Sequence, residues 1–224
     1  IKGSMDMVTG VNTILNDVLD LGKIETQGVK ISLQIVNIRV EIINALDRIY
    51  ASRASTDKFI WRVDCASLVP THVEIDPHRL MQILHNLLGN SFKFNKRGFV
   101  RLVVDVVKMD QSSEARLRFC VIDSGCGIRD DHMNQLFKPY SRVGPDSSLV
   151  GGSGLGLVLS AMIANALDAD LNAYSTPSIG SMFELILCTG SGEKSQTPHV
   201  SIAVTSKRSI EEDDDEDNEN DPSN

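Results

Sequence analysis

Cysteine is scarce in this sequence. Cys65, Cys120, Cys126 and Cys188 are four thiols in 224 residues, with no C-x-x-C pair among them, which excludes a disulfide framework and leaves reduced, cytosolic thiols as the expectation. A signal peptide is lacking, and the chain opens on Ile1 rather than Met. Upstream sequence is therefore expected to be missing. No stretch supplies the ~18 to 20 apolar residues of a membrane span. The longest uncharged run, Ser147 to Leu167, is rich in Gly and Ser in its first half. An excess of one charge is also missing from most of the chain. The formal net charge is -8, but residues 1–210 hold 22 basic and 21 acidic side chains, and the other nine acids lie between Glu211 and Asp221. A body so nearly neutral has no bulk attraction for nucleic acid or for an anionic membrane, and neither is an expected partner. There is no internal repeat.

What remains is a globular composition, 42% hydrophobic and 23% charged, with room for one domain and appendages. Met7, Val11, Ile14, Val18 and Leu21 follow the a/d rhythm of a bundle helix. One helix cannot bury that seam alone, so it implies an antiparallel neighbour before Ile1 and a second subunit. Gly28 and the β-branched run after it end the helix. A second helical pattern uses Val36, Val40, Ile43, Leu46 and Tyr50, followed by strand-like pieces at Lys58 to Val63 and His72 to Ile75. Asp76-Pro77 opens a helix, with Asp capping free amides and Pro in a first turn that needs no N–H; it runs to about Lys93. Alternating apolar residues at Val100 to Val106 and Ala115 to Val121 predict two strands joined by a hairpin turn at Asp110 to Ser113. Leu155 to Leu167 predicts another helix, and Leu171 to Ser175 and Ser181 to Cys188 predict closing strands. From Thr189 onward the composition is that of a disordered acidic tail.

Four segments carry chemistry. On the helix after Pro77, Asn86 and Asn90 share one face, with Lys93 a turn further on. Leu80, Ile83, Leu84, Leu87 and Leu88 occupy the opposite face. Two amide oxygens and an ammonium suit a hard cation and a phosphate, although on this helix alone a solvated polar face explains the stripe as well. Next, Asp123 ends a strand and enters a D-x-G-x-G turn through Gly125 and Gly127. A carboxylate there can accept from an exocyclic amine such as that of adenine, or simply cap its own turn. Third, Leu136 to Tyr140, with Gly144 and Ser147-Ser148 beyond, could form a lid. Last, Gly151-Gly152-Ser153-Gly154-Leu155-Gly156-Leu157 leads into a helix, where bare amides form an anion site. It is not a Walker loop, because no Gly-Lys-Ser/Thr follows.

In this order the segments closely resemble the N box, first glycine box, F box and second glycine box of sensor histidine kinases in the Bergerat, or GHKL, superfamily. Asn16 to Glu25 resembles the end of that family's dimerisation helix. The resemblance implies an α+β fold, a two-layer α/β sandwich over residues 31–190, preceded by the second helix of a dimerisation hairpin over 1–27 and followed by a tail over 191–224. It implies ATP and Mg²⁺ as cofactors, with Asn86 and Asn90 facing Mg²⁺ and Lys93 meeting phosphate. Asp123 would recognise adenine in a pocket shaped by Gly125 and Gly127. Gly152, Ser153, Gly154, Leu155, Gly156 and Leu157 would wrap the phosphates under a lid carrying Phe137.

Superfamily hydrolases have a water-activating glutamate where this chain has Asn86, so the resemblance favours transfer to a protein acceptor. His72, His78, His85, His132 and His199 all lack the family's acceptor context, and the acceptor is expected upstream. His85 is expected to be a helix-surface residue rather than a base. Asn95, where a Thr is usual, and Ala169-Asp170, where a Gly is usual, depart from the pattern. The implied partners are a second copy and a response-regulator receiver domain. The implied location is cytoplasmic, alone or as part of a membrane-anchored sensor. The competing reading is a regulatory module without kinase activity that acts by heterodimerisation.

The tail carries one prediction. It repels itself and holds no apolar residue after Ile210, so removing Glu211 to Asn224 should leave melting temperature and nucleotide affinity nearly unchanged. A fall of several degrees in a thermal melt would show that the tail docks on the body.

Overall fold

The computed structural model describes residues 15, 17–54, 59–95, 97–108, 115–139 and 154–188. Met7, Val11, Ile14, Asn16, the turn at Asp110 to Ser113, the lid beyond Tyr140, Gly152, Ser153 and the tail lie outside them. A first helix, α1 (17–27), ends where Gly28 adopts φ +71°. Its Leu21 and Ile24 are buried in the domain core, whereas Leu15, Val18 and Leu19 are exposed. The seam thus divides: its last member packs inward, and Gln82 on a later helix donates to Asp20 at 3.2 Å.

The chain then forms β1 (Gln34–Asn37), which the sequence pattern does not predict. Val36 is accordingly a strand residue, and the helix expected to include it starts only at Ile38. The Asn37 side chain caps that start by accepting from the Val40 amide at 3.1 Å, while the Asn37 amide donates to Glu41 at 2.9 Å. These reciprocal bonds satisfy donors that would otherwise be orphaned. The first turn is π-helical, Ile38–Ile43, and continues as α2 (Asn44–Ala54). After β2 (Phe59–Cys65) and β3 (His72–Ile75) comes α3 (Pro77–Lys93). Asp76 caps α3 as expected, accepting from the Arg79 amide at 3.0 Å and from the Ser32 amide at 2.8 Å. There follow β4 (Gly98–Lys108), β5 (Ala115–Asp123), the short α4 (Asp130–Met133), α5 (Gly156–Ala166), β6 (Ala169–Thr176) and β7 (Gly180–Cys188).

β1 and β3 form a small antiparallel pair, and the main sheet runs β2-β4-β5-β7-β6. Only β2 and β4 are parallel in that sheet. Alternation sends Leu102, Val104, Leu117, Phe119, Val121, Leu171, Phe183 and Leu185 to one face, where all are buried. Leu80, Ile83, Leu84, Leu87 and Leu88 of α3 are all fully buried in the same core, each burial stabilising the fold by ~1.5 to 3 kcal/mol relative to exposure. This is the expected two-layer α/β sandwich. The opposite face of the sheet is a charge ladder, in which Arg118 pairs with Asp105 at 2.6 Å and Glu184 at 3.4 Å. Cys120 beside it is buried, and burial pushes its thiol up to about 11, which makes it a poor nucleophile at neutral pH. None of the four cysteines forms a disulfide.

Candidate functional site

The inward face of the sheet changes character at one end. Register aligns Val100, Asp123, Ser181 and Ser175 across four strands. The last three of these are polar, yet at most 9% exposed. Buried polar groups need partners, and here they have them. Ser175 and Ser181 share a hydroxyl hydrogen bond at 3.0 Å, and the Ile128 amide donates to Ser175 at 2.8 Å.

Asp123 accepts from both sides. The Gly125 amide donates to Oδ1 at 2.9 Å, and Ser91 of α3 donates to Oδ2 at 2.9 Å. Burial raises its pKa, while the bonds from Gly125, Ser91 and the Ser181 backbone partly offset that rise. The ionised carboxylate is therefore held at some cost, and a further donor aimed at it would be favourable. The turn after it is tight. A Cβ on Gly125 would stand 2.8 Å from both Asp123 Oδ1 and the Phe94 carbonyl oxygen, and the Cys126 amide donates to that same carbonyl at 3.3 Å. Gly127 has φ +66°, and a Cβ there would lie 2.1 Å from the Thr176 carbonyl oxygen.

Asn86 reaches the other glycine segment. Its Nδ2 donates to the Gly156 carbonyl at 3.1 Å and to Ser160 Oγ at 3.2 Å. Gly156 starts α5, and Leu155 before it is fully buried. Leu157 is half-buried against the core, and Gly154 turns with φ +72°. Asn90 is half-buried one turn beyond Asn86. Lys93 places its ammonium 4.8 Å from the centre of the Phe94 ring. Phe137 packs against the core near Met133 and Leu136. A single helix, α3, thus touches the first glycine turn through Ser91 and the second through Asn86. Among the described residues, no group of three or more His, Cys, Asp or Glu could hold a metal, so a cation here would need amide oxygens and groups of a ligand.

His85 does not face this cleft's polar contacts. Its Nδ1 lies 3.1 Å from the Tyr50 hydroxyl, in a cluster where Tyr50 stacks on Phe92 and tilts against Trp61. Burial lowers the His85 pKa, with the Arg53 charge adding to the effect. It is an aromatic-cluster residue that is neutral near pH 7. Sequence reading missed Ser91, Ser160 and the Ser175–Ser181 row. Ser160 is four residues past Gly156, a helical spacing that puts both on one face, but neither serine carries a motif.

Residues 75–190 match the family described as histidine kinase-, DNA gyrase B-, and HSP90-like ATPase. The chain is 32% identical over 176 residues to the sensor protein EvgS of Escherichia coli O157:H7, covering 78% of this chain and 14% of that protein. Among solved structures, the Acinetobacter baumannii histidine kinase AdeS is similar in fold, with TM-score 0.66 and 21% identity over 85% of this chain and 84% of that one. Full-length ShkA in complex with AMPPNP gives TM-score 0.67 and 26% identity over 80% of this chain and 36% of that one. The chain therefore spans a small part of the length of EvgS. Among the described residues, no helix is long and apolar enough to cross a membrane.

Proposed function

Since the chain belongs to the family of histidine kinase-, DNA gyrase B- and HSP90-like ATPases, we propose that it serves as the ATP-binding, phosphoryl-donating domain of a two-component sensor kinase. The observation that carries this reading is the position of α3, whose Asn86 meets Gly156 and whose Ser91 meets Asp123. One rigid helix joins the two glycine segments, and that sets a spacing between an adenine end and a phosphate end.

Asp123 accepts the adenine amino group. Its existing donors hold the carboxylate in place, and the glycines beside it let the turn close against the Phe94 and Thr176 carbonyls. Amides at the start of α5 meet the phosphates, with Lys93 as a counter-charge. Asn86 and Asn90 fit Mg²⁺, because amide oxygens are hard donors and Mg²⁺ is usually held by few protein groups plus nucleotide phosphates. When bound, that ion neutralises charge on the transferring phosphoryl group. Asn86 lacks the carboxylate that would activate water. Its amide is also held by a carbonyl that a glutamate would repel, which favours a protein acceptor over hydrolysis. The exposed Val18 and Leu19 of α1, with the exposed Leu15 before it, support a second copy as partner through a paired helix. A receiver domain, taking the phosphoryl group onto an aspartate, is the partner downstream.

None of the chain's five histidines has an acceptor context, so the test supplies one. This chain with labelled ATP should form no acid-labile phosphohistidine alone. It should form it when the acceptor helix with its histidine is added in cis or in trans, and Asn90→Asp should abolish the gain. A protein that binds nucleotide but never labels the supplied histidine replaces this reading with the regulatory-module one.

A further inference from the structure

We propose that Ser160 is a positioning residue that acts through Asn86 to hold the start of α5 against α3, and so keeps the triphosphate end of the pocket ready to bind. The proposal rests on the nucleotide-binding reading above. Ser160 is fully buried one turn along α5 from Gly156. Its hydroxyl donates back to the Gly156 carbonyl at 2.9 Å and accepts from Asn86 Nδ2 at 3.2 Å. Asn86 Nδ2 also donates to the Gly156 carbonyl at 3.1 Å. Three hydrogen bonds close a triangle, two of them between groups 70 and 74 residues apart in sequence.

The triangle decides which way the Asn86 amide faces. A carbonyl oxygen is an acceptor only, so the atom turned to it must be the NH₂ group, and Oδ1 must lie on the other side. Ser160 reinforces that choice by offering the second NH₂ hydrogen an acceptor. Without Ser160, one hydrogen bond holds the amide and it can swing. A serine bonded only to its own helix adds little stability. Here the hydroxyl also joins two helices, and that second bond gives it a role beyond local packing. A Cβ on Gly156 would come to 3.4 Å from Asn86 Cγ and Oδ1, an ordinary contact distance, so the Asn86 amide packs directly over the start of α5. The carbonyl that Asn86 grips belongs to the first residue of α5, so this grip sets where the amides of that first turn point. Asp123, which α3 meets through Ser91, shares no hydrogen bond with the triangle.

The role should therefore show as a selective loss. Calorimetry on the wild type, Ser160→Ala and Ser160→Thr would compare adenosine with the ATP analogue AMPPNP in the presence of Mg²⁺. Ser160→Ala should weaken AMPPNP by roughly 3- to 10-fold, the scale of one net hydrogen bond, and leave adenosine affinity within about 2-fold. Ser160→Thr, which keeps the hydroxyl, should retain wild-type AMPPNP affinity. Equal losses for adenosine and AMPPNP, or no loss in Ser160→Ala, overturn the proposal. So does a Ser160→Thr protein that melts like wild type yet binds AMPPNP no better than Ser160→Ala. A wild type that binds neither ligand overturns the nucleotide reading itself, and this proposal with it.

Discussion

Gly127→Ala is expected to lower the melting temperature by about 5 to 12 °C and to abolish measurable nucleotide binding. Two effects add. Alanine at φ +66° sits in the left-handed region, at a cost of roughly 1 to 2 kcal/mol. Its Cβ would also lie 2.1 Å from the Thr176 carbonyl oxygen and 2.9 Å from Pro177 Cα, both backbone atoms that cannot rotate away. The loop must move, and the Ser178 amide that donates to the Cys126 carbonyl at 2.8 Å would lose its partner. For a domain of this size each kcal/mol shifts the melting temperature by ~2 to 4 °C. Gly28→Ala separates the two effects, because Gly28 has a similar φ of +71° but nothing within 4 Å of a Cβ. Its melting temperature should fall by ~2 to 8 °C from the backbone strain alone, with binding intact. Thermal melts that put Gly127→Ala no lower than Gly28→Ala would remove the collision from the account.

Asp123→Asn should reduce ATP affinity by roughly 5- to 150-fold, from the ~1 to 3 kcal/mol cost of leaving a buried polar group unmatched. The replacement is nearly isosteric. Its oxygen can still accept from the Gly125 amide, and its NH₂ can donate to Ser91 Oγ, but that NH₂ then meets the adenine amino group donor to donor. Stability should move the other way. The folded carboxyl titrates above its ordinary 3.8 because burial disfavours its charge, so its contribution to stability is complete below 3.8 and is lost as pH rises through the folded value. Asparagine has no such loss. The ligand-free variant should therefore melt no lower than wild type at neutral pH, and its melting temperature should fall less than that of wild type as pH rises from the acid range. Calorimetry that finds equal ATP affinity would remove adenine recognition from Asp123. A variant that melts well below wild type would show that its carboxylate is structurally required.

Much of the molecule was legible in sequence because it rests on local rules. Period-two alternation placed β4 and β5. The Asp76-Pro77 signal placed the start of α3, and its 3.6-residue periodicity separated the buried leucines from Asn86 and Asn90. The order of the four polar and glycine-rich segments identified the family and the sandwich, since each segment is short and depends on its own residue types. Where local rules fell short, a distant partner decided the outcome. Val36 fits a helical pattern, but antiparallel pairing with Val73 of β3 draws it into a strand. Leu21 continues a bundle seam, yet it is buried in the domain core.

The site divides along the same line. Sequence alone determined that Asn86, Asn90, Asp123 and the glycines exist at spacings suited to a nucleotide, because helix and turn geometry act over a few residues. Only the tertiary structure decided how they connect. Ser91 and Asp123 are 32 residues apart, and Asn86 and Ser160 are 74 apart. Both contacts depend on how α3 seats on the sheet and against α5, which follows from burying Leu80 to Leu88 and from no pattern within either segment. A serine costs nothing conspicuous in a helix and carries no motif. Its meaning here comes from the one acceptor or donor that packing brings within 3.2 Å.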